Sequence, residues 1–465
     1  MLKLAQNAAG CEDIDDEIEC DGKVFGMKAS SLLSNIAVVA GISGAMMMPP
    51  LGAIVDHTAH RRAAGWISAA ILTIFNGIQA ILNQNTLALA VILQIVGNFF
   101  FLMHNTSQYA YISDLSNETS KIASYASFFS IVLYISMLLF LIVVIFCAAI
   151  FQADVIQTAI ISQVVAFLTA VYFFGYSWAY LFRECPPNSQ LPEGSFLLSY
   201  GFRKVIITAG RIRSEIVSLK WFYLSVMLSE AACSAFLSIA TTFMTTFMKM
   251  SSSEIGFAYL TVLLGGVPGS KIGEMITHRV NPVRSAQICL AIFILTTGIA
   301  AVTLTGPNET NKILYLCLFW GIALGWLHPT HTTILCTIMP TDGGQTEHMG
   351  LYIFSSQILS WLPPLIFTAL NESGISMSVG LASLNLFFAV AMGLLFMIGP
   401  LALANEKSRL VGGDTDKLEE HDDIKDNDDL LTEMTDRSKD LIAKGRLQGE
   451  TVGMPQKGSG MGLYL

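Results

Sequence analysis

YASFFSIVLYISMLLFLIVVIFCAAIF, residues 125–151, holds no charged side chain. Coiled as an α-helix it is roughly 40 Å long, enough to cross a hydrocarbon core of about 30 Å. Lipid offers the backbone no hydrogen-bond partner, so such a run reads as a membrane helix. Working outward from it, the apolar stretches number eleven: 31–55, 64–83, 87–111, 125–151, 156–182, 221–247, 253–276, 285–304, 312–338, 350–370 and 376–403. The expected fold class is an all-α, polytopic membrane protein.

Composition agrees. Apolar residues make up 53% of the chain and charged residues 13%, about half the charged share of a soluble domain. The net charge of −9 belongs to the two ends, an acidic leader (Glu12, Asp13, Asp15, Asp16, Glu17, Glu19) and a tail after Ala404. No basic cluster points to nucleic acid, so the expected partner is the lipid bilayer. A basic region followed by an apolar core is missing from the first residues, so the first span acts as its own membrane signal. Of eight cysteines, Cys147, Cys233, Cys289, Cys317 and Cys336 lie in spans, where a thiol is a small packing residue. None has metal-ligand spacing. Cys11 and Cys20 share the leader and pair only if that segment faces an oxidising lumen. No nucleotide-binding loop, catalytic triad or metal motif is present, which excludes a cofactor, an ATP-driven pump and an enzyme. The run Met46-Met47-Met48 lacks the cysteines or histidines of a copper site and reads as packing.

Positive charge fixes orientation. Loops after the first, third, fifth and seventh spans hold Arg61 and Arg62; Lys121; Arg183, Arg203, Lys204, Arg211, Arg213 and Lys220; then Arg279 and Arg284. The opposite loops hold only Lys249 and Lys312. By the positive-inside rule the first set is cytoplasmic. Residues 1–30 are then a lumenal leader, 31–182 an N-terminal half of five spans, and 183–220 a cytoplasmic central loop. Residues 221–404 form a C-terminal half of six spans, and 405–465 a disordered, acidic cytoplasmic tail. In the central loop, Phe202 to Arg213 alternates apolar and basic residues at helical spacing. It reads as an interfacial helix on the cytoplasmic leaflet, with a plain basic linker as the other reading.

The halves echo each other. Gly52-Ala53-Ile54-Val55-Asp56 with Arg61 and Arg62 follows the first span. Gly266, Gly269-Ser270-Lys271-Ile272-Gly273-Glu274, His278 and Arg279 occupy a matching cytoplasmic helix end in the second half. Related halves with such joints mark transporter folds built from repeats. Gly52, Asp56, Arg61 and Arg62 resemble the major facilitator signature G-x-x-x-D-x-x-x-R-R. A tight glycine lets helices approach, and acid and base latch the cytoplasmic side. The superfamily places two helices before this signature and the sequence shows one span there. The resemblance therefore implies a further first helix, and a coding sequence that starts upstream is the favoured reading over an eleven-span bundle.

Other stretches resemble a narrower group. Gln345-Thr346-Glu347-His348-Met349-Gly350-Leu351-Tyr352, then Gln357 and Ser360-Trp361-Leu362-Pro363-Pro364-Leu365, are similar to the vacuolar amino-acid effluxers associated with autophagy. Met339-Pro340, Tyr111-Ile112-Ser113-Asp114-Leu115 and Gly201-Phe202-Arg203-Lys204 add to the likeness, which runs from the first span to about residue 403. Two segments depart from it. Ala123 to Ser130 replaces a glycine-rich helix, and His328-Pro329-Thr330-His331-Thr332 replaces a Q-S-x-S-R pattern. The resemblance implies a secondary transporter that exports neutral amino acids from a vacuolar or lysosomal lumen to the cytoplasm, by alternating access and with possible proton coupling. A non-transporting sensor or scaffold, and a carrier of another small organic solute, are the rival readings.

Glu230 is the leading candidate on the transport path. It lies near the middle of the 221–247 span, where a charged carboxylate costs several kcal/mol. It binds a substrate ammonium, carries a coupling proton, or simply bonds a neighbouring helix. The family has an acid before glycine here, and Ala231 replaces that glycine. His328 and His331, three apart, share one helix face. Titrating near neutral pH, they suit proton relay or carboxylate recognition, or else form a satisfied interhelical pair. His331 sits beside the position of the family's arginine. Gln357 is a candidate donor to substrate, and Trp361 walls the path or packs between helices. Pro329, Pro363, Pro364 and the pair Pro49-Pro50 are expected to break helical ladders and free carbonyls. In the tail, Asp426 four residues before Leu430-Leu431 fits an acidic dileucine signal read by cytoplasmic sorting adaptors.

Orientation has a direct check. Asn308-Glu309-Thr310 is a lumenal acceptor and Asn117-Glu118-Thr119 a cytoplasmic one. Glycosidase-sensitive mass is expected on Asn308 alone, and a glycan on Asn117 would invert the topology.

Overall fold

Helices form where lipid forces the backbone to satisfy itself, and their ends fall where charge or proline returns the chain to water. The computed structural model describes residues 23–56, 60–116, 118–153, 155–184, 197–214, 216–250, 252–306, 309–340 and 345–399, with Ala5, Ala8 and Gly10. Both sequon asparagines, the leader cysteines and the dileucine residues Asp426, Leu430 and Leu431 lie outside the described residues.

A two-residue ladder pairs Lys23–Val24 with Met27–Lys28. The first half then comprises α1 (Ala29–Asp56), α2 (Arg61–Gln79), α3 (Leu87–Asp114), α4 (Thr119–Phe151) and α5 (Val155–Tyr176). A π-helical turn, Ser177–Leu181, extends α5. Helix α6 (Leu197–Ser214) lies in the central loop and carries Arg211 and Arg213 in its last turn. The second half comprises α7 (Val217–Thr242), α8 (Ser252–Val280), α9 (Pro282–Thr303) and α10 (Thr310–Ile338). It ends with α11 (Gln345–Gln357), α12 (Leu362–Glu372), α13 (Met377–Ala382) and α14 (Leu384–Phe396).

Ten membrane-length apolar spans occur among the described residues. The eleventh expected stretch, 64–83, is α2: it is helical but falls short of the others in hydropathy. The spans of α7 and α10 are each 67% buried, whereas that through α5 is 6% buried. The first two therefore occupy the centre of the bundle, and α5 turns its apolar side chains outward.

The prolines behave differently from one another. Pro49 and Pro50 stay inside a continuous α1, and Pro329 inside a continuous α10, so neither interrupts its helix as expected. Pro363 and Pro364 do: α11 ends at Gln357 and α12 begins at Leu362. In that gap the Ser360 hydroxyl and the Trp361 indole donate to the Gln357 and Ile358 carbonyls, at 2.8 and 3.0 Å. Pro329 has no N–H for the carbonyl of Gly325 one turn back. The Ser270 hydroxyl reaches that carbonyl from α8 at 2.9 Å. The freed carbonyl thus binds a neighbouring helix rather than opening a kink.

Helices α8 and α10 approach through small residues at four-residue spacing, Gly265, Gly269 and Gly273 against Gly321 and Gly325. In lipid no hydrophobic drive brings helices together, so this close backbone contact is itself the adhesive. A Cβ on Gly325 would run into the Gly266 backbone. Gly325→Ala is expected to cost about 1–3 kcal/mol by overpacking. Gly256→Ala, at a position with open space, should leave stability unchanged or slightly raised. Melting temperatures of the two purified variants in detergent decide it.

Candidate functional site

The two separate candidates on α7 and α10 form one cluster. Glu230 Oε1 lies 2.9 Å from His331 Nδ1 and 3.2 Å from His328 Nδ1. Three-residue spacing on α10 sets both imidazoles on the face that meets α7, one turn apart. The side chain of His331 has 0% exposure and that of Glu230 has 7%. A buried carboxylate is tolerable only when paired or protonated, and here one oxygen serves two rings. His331 Nε2 is buried with no hydrogen-bond partner. The His331 ring packs edge-on against Phe222, which in turn stacks on Tyr352 of α11.

His328 differs from its surroundings. From Ala323 to Leu335 every other residue of α10 is buried, so the helix is enclosed on all sides. Yet 42% of the His328 side chain is accessible. Open space therefore lies against the His328 ring alone on this stretch of the helix. Tyr109 of α3, Tyr134 of α4 and Tyr352 of α11 all lie within electrostatic reach of Glu230. Tyr109 and Tyr134 thus bring α3 and α4 of the first half near the cluster. Gln357 and Trp361 do not join it through any described hydrogen bond. They sit at the break between α11 and α12, where Trp361 bonds its own backbone.

A second constellation closes the bundle where α1 ends and α11 begins. Asp56, at the end of α1, accepts the backbone N–H groups of Thr346 and Glu347 at 3.1 and 2.8 Å. These are first-turn amides of α11, and the positive end of a helix dipole attracts a carboxylate. Gly52, one turn earlier, admits the Thr346 backbone where a Cβ would collide, and Gly350 does the same for Met48. Arg61 Nη2 holds Asp56 at 3.1 Å while its Nη1 holds Asp114 at 2.6 Å. Burial raises the Asp114 carboxyl above its ordinary range, against the opposing pull of Arg61. Arg62 takes no part. It turns to the carbonyls of Trp178 and Ala179 at 3.0–3.2 Å, and to Glu184 at 3.6 Å.

The echo of this signature in the second half makes the reciprocal contact. Glu274 of α8 accepts from Ser124 of α4 at 2.8 Å and pairs with Lys271 at 2.8 Å. His278 lies 3.2 and 3.3 Å from Ser120 and Ser124. Further up, Ser127 donates to the Ser270 carbonyl at 2.8 Å, and Ser270 bonds Ser130 at 2.9 Å. Each half thus sends an acid from a matching helix end to the other half. Asp114 as a partner of Arg61, the serine ladder of α4 and the three tyrosines were not singled out from sequence. An acid closing a span beside a basic loop was the one available signal, at Asp114.

Two helical halves that exchange acidic contacts, with a buried ionisable cluster on α7 and α10, have the architecture of a membrane transporter of the major facilitator type. Solved structures share this fold. The human organic anion transporter MFSD10 (TETRAN) is similar at a TM-score of 0.64 and 13% identity, with 85% of this chain and 88% of that one covered. The proton:xylose symporter XylE matches at 0.62 and 16%, covering 80% and 87%. A bacterial homologue of the iron transporter ferroportin, in an outward-facing state, matches at 0.56 and 13%, covering 85% and 96%. No curated protein matches by sequence. Residues 102–401 match the family described as "Vacuole effluxer Atg22 like", and the chain belongs to that family.

The latch has a measurable consequence. Asp56→Asn removes the charge that holds α11 and Arg61. With the other cysteines replaced by serine, Cys336 near the C-terminal end of α10 should react faster with a hydrophilic maleimide on the detergent-purified protein. A roughly fivefold increase is expected, the population shift that about 1 kcal/mol produces. Arg62→Gln should leave the rate within about twofold, because a rim contact of this kind contributes little.

Proposed function

We propose that this chain exports neutral amino acids from a vacuolar or lysosomal lumen to the cytoplasm by alternating access, coupled to protons. The observation that carries the reading is the Glu230–His328–His331 cluster, which joins α7 and α10 in the second half of a vacuole effluxer family member. A carboxylate held in hydrocarbon at such cost marks a substrate or proton pathway. The open space at His328 receives the solute. Latches from Asp56 and Glu274 keep the cytoplasmic side shut in this state, so loading proceeds from the lumen. Rocking of one half on the other then exchanges access, and the latches set the balance between states.

The membrane is that of a vacuole or endolysosome, with the leader in the lumen and the tail in the cytoplasm. Asp426, Leu430 and Leu431 serve as the signal that sorting adaptors read. Gln357 and Trp361, at the proline-made break, border the lumenal part of the path.

Full-length protein in proteoliposomes tests the transport reading. An imposed proton gradient should drive neutral amino-acid flux in the wild type. Glu230→Gln should lower gradient-dependent flux by tenfold or more, about 1.4 kcal/mol of lost coupling, while its elution profile and melting curve stay those of the folded wild type. Unchanged flux removes Glu230 from the mechanism.

A further inference from the structure

The three-residue cluster has an internal asymmetry that names the ligand group it receives. Both imidazoles spend Nδ1 on the same oxygen, Glu230 Oε1. Their second nitrogens differ. His331 Nε2 is buried without a partner. His328 Nε2 is neither buried without a partner nor engaged in any described hydrogen bond, and its ring is the accessible one. His328 therefore leaves Nε2 accessible while Nδ1 is anchored on Glu230.

An anchored imidazole has a defined chemistry. With Glu230 ionised, Nδ1 carries its proton toward the carboxylate, and neutral His328 offers only a lone pair at Nε2. Binding one proton at Nε2 turns that lone pair into an N–H donor and gives the ring a positive charge, which Glu230 balances. The other groups that act on Glu230, the phenols of Tyr109, Tyr134 and Tyr352 and the thiol of Cys233, carry no positive charge to offer. The basic groups that act on Glu230 are His328 and His331, and Lys271 of α8 is paired with Glu274. A carboxylate in a low-dielectric site needs a charged donor. His328 Nε2–H is the accessible donor that a solute can reach.

We infer that the substrate's carboxylate binds His328 Nε2–H, and that the proton on this nitrogen is the one taken up with each solute. This deepens the transport proposal and rests on it. The balance is simple: one lumenal proton adds to Nε2, the carboxylate docks on the resulting N–H, and both leave together when the cytoplasmic side opens. Glu230 and His331 act as positioning residues. The first holds the ring and supplies the counter-charge; the second fixes the carboxylate from its buried side.

Calorimetry on the purified full-length chain tests this, using a panel of neutral amino acids, each paired with its primary amide. Titrations in buffers of different ionisation enthalpy, near pH 7.5, report protons bound per ligand. The expected wild-type result is about one proton taken up with the acid, and binding of the amide weaker by at least about tenfold, the effect of losing a hydrogen bond to a charged group. His328→Asn keeps a donor at the Nδ1 position for Glu230 and lacks the second nitrogen, so it should fold yet bind without proton uptake. His328→Gln places a neutral amide near the Nε2 position and should keep weak binding, again without proton uptake. Equal affinity for acid and amide, or proton uptake that survives both variants, overturns the inference while transport itself stands. Binding of neither acids nor amides overturns the transport proposal and this inference together.

Discussion

Hydrocarbon supplies no hydrogen-bond partner, and the main polar contacts between helices of this chain answer to that constraint. The backbone answers by coiling. The Gly325 carbonyl, deprived of its helical partner by Pro329, answers by taking the Ser270 hydroxyl of another helix. Glu230 answers by drawing two imidazoles onto one oxygen. Asp56 sits at the membrane edge and answers with two amides and a guanidinium. Helix-to-helix contacts in this protein are in large part the places where such debts are settled.

The same constraint joins chemistry to conformational change. A group solvated by protein on both sides of an interface is solvated in only one of the two states of a rocking bundle. The Asp56 contact to α11 and the Glu274 contact to α4 both cross between halves, and both lie near helix ends. Parting the halves there would strand a carboxylate on each half, or hand it to water. Their differential free energy therefore enters the access equilibrium directly. Serines on α4 extend the second contact toward mid-span through Ser270, so the interface is a ladder rather than a single rung.

Much of the architecture was legible before any coordinates. Run length and the absence of charge in residues 125–151 require a membrane helix, and α4 is one by length and hydropathy. The family likeness was legible from Gln345 to Leu365, and residues 102–401 match that family. The prolines were legible only as breakers. At Pro363-Pro364 the expectation holds, whereas at Pro329 a hydroxyl from α8 absorbs the lost bond and the helix continues. Propensity sees the missing N–H, but a donor on a distant segment is invisible to it.

For the site, residue type and spacing already nominate Glu230, His328 and His331, because ionisable groups in mid-span are costly enough to need a reason. Arg61 and Arg62 look equivalent in the sequence, and so do the two histidines. Tertiary structure separates each pair: Arg61 is gripped between Asp56 and Asp114 while Arg62 turns to the π-helical extension of α5, and His331 is sealed while His328 stays accessible. Local pattern determines that a segment spans lipid, since hydrophobic transfer acts residue by residue. Which partner each polar atom finds depends on helices brought together from distant parts of the chain, and that only the packed bundle decides.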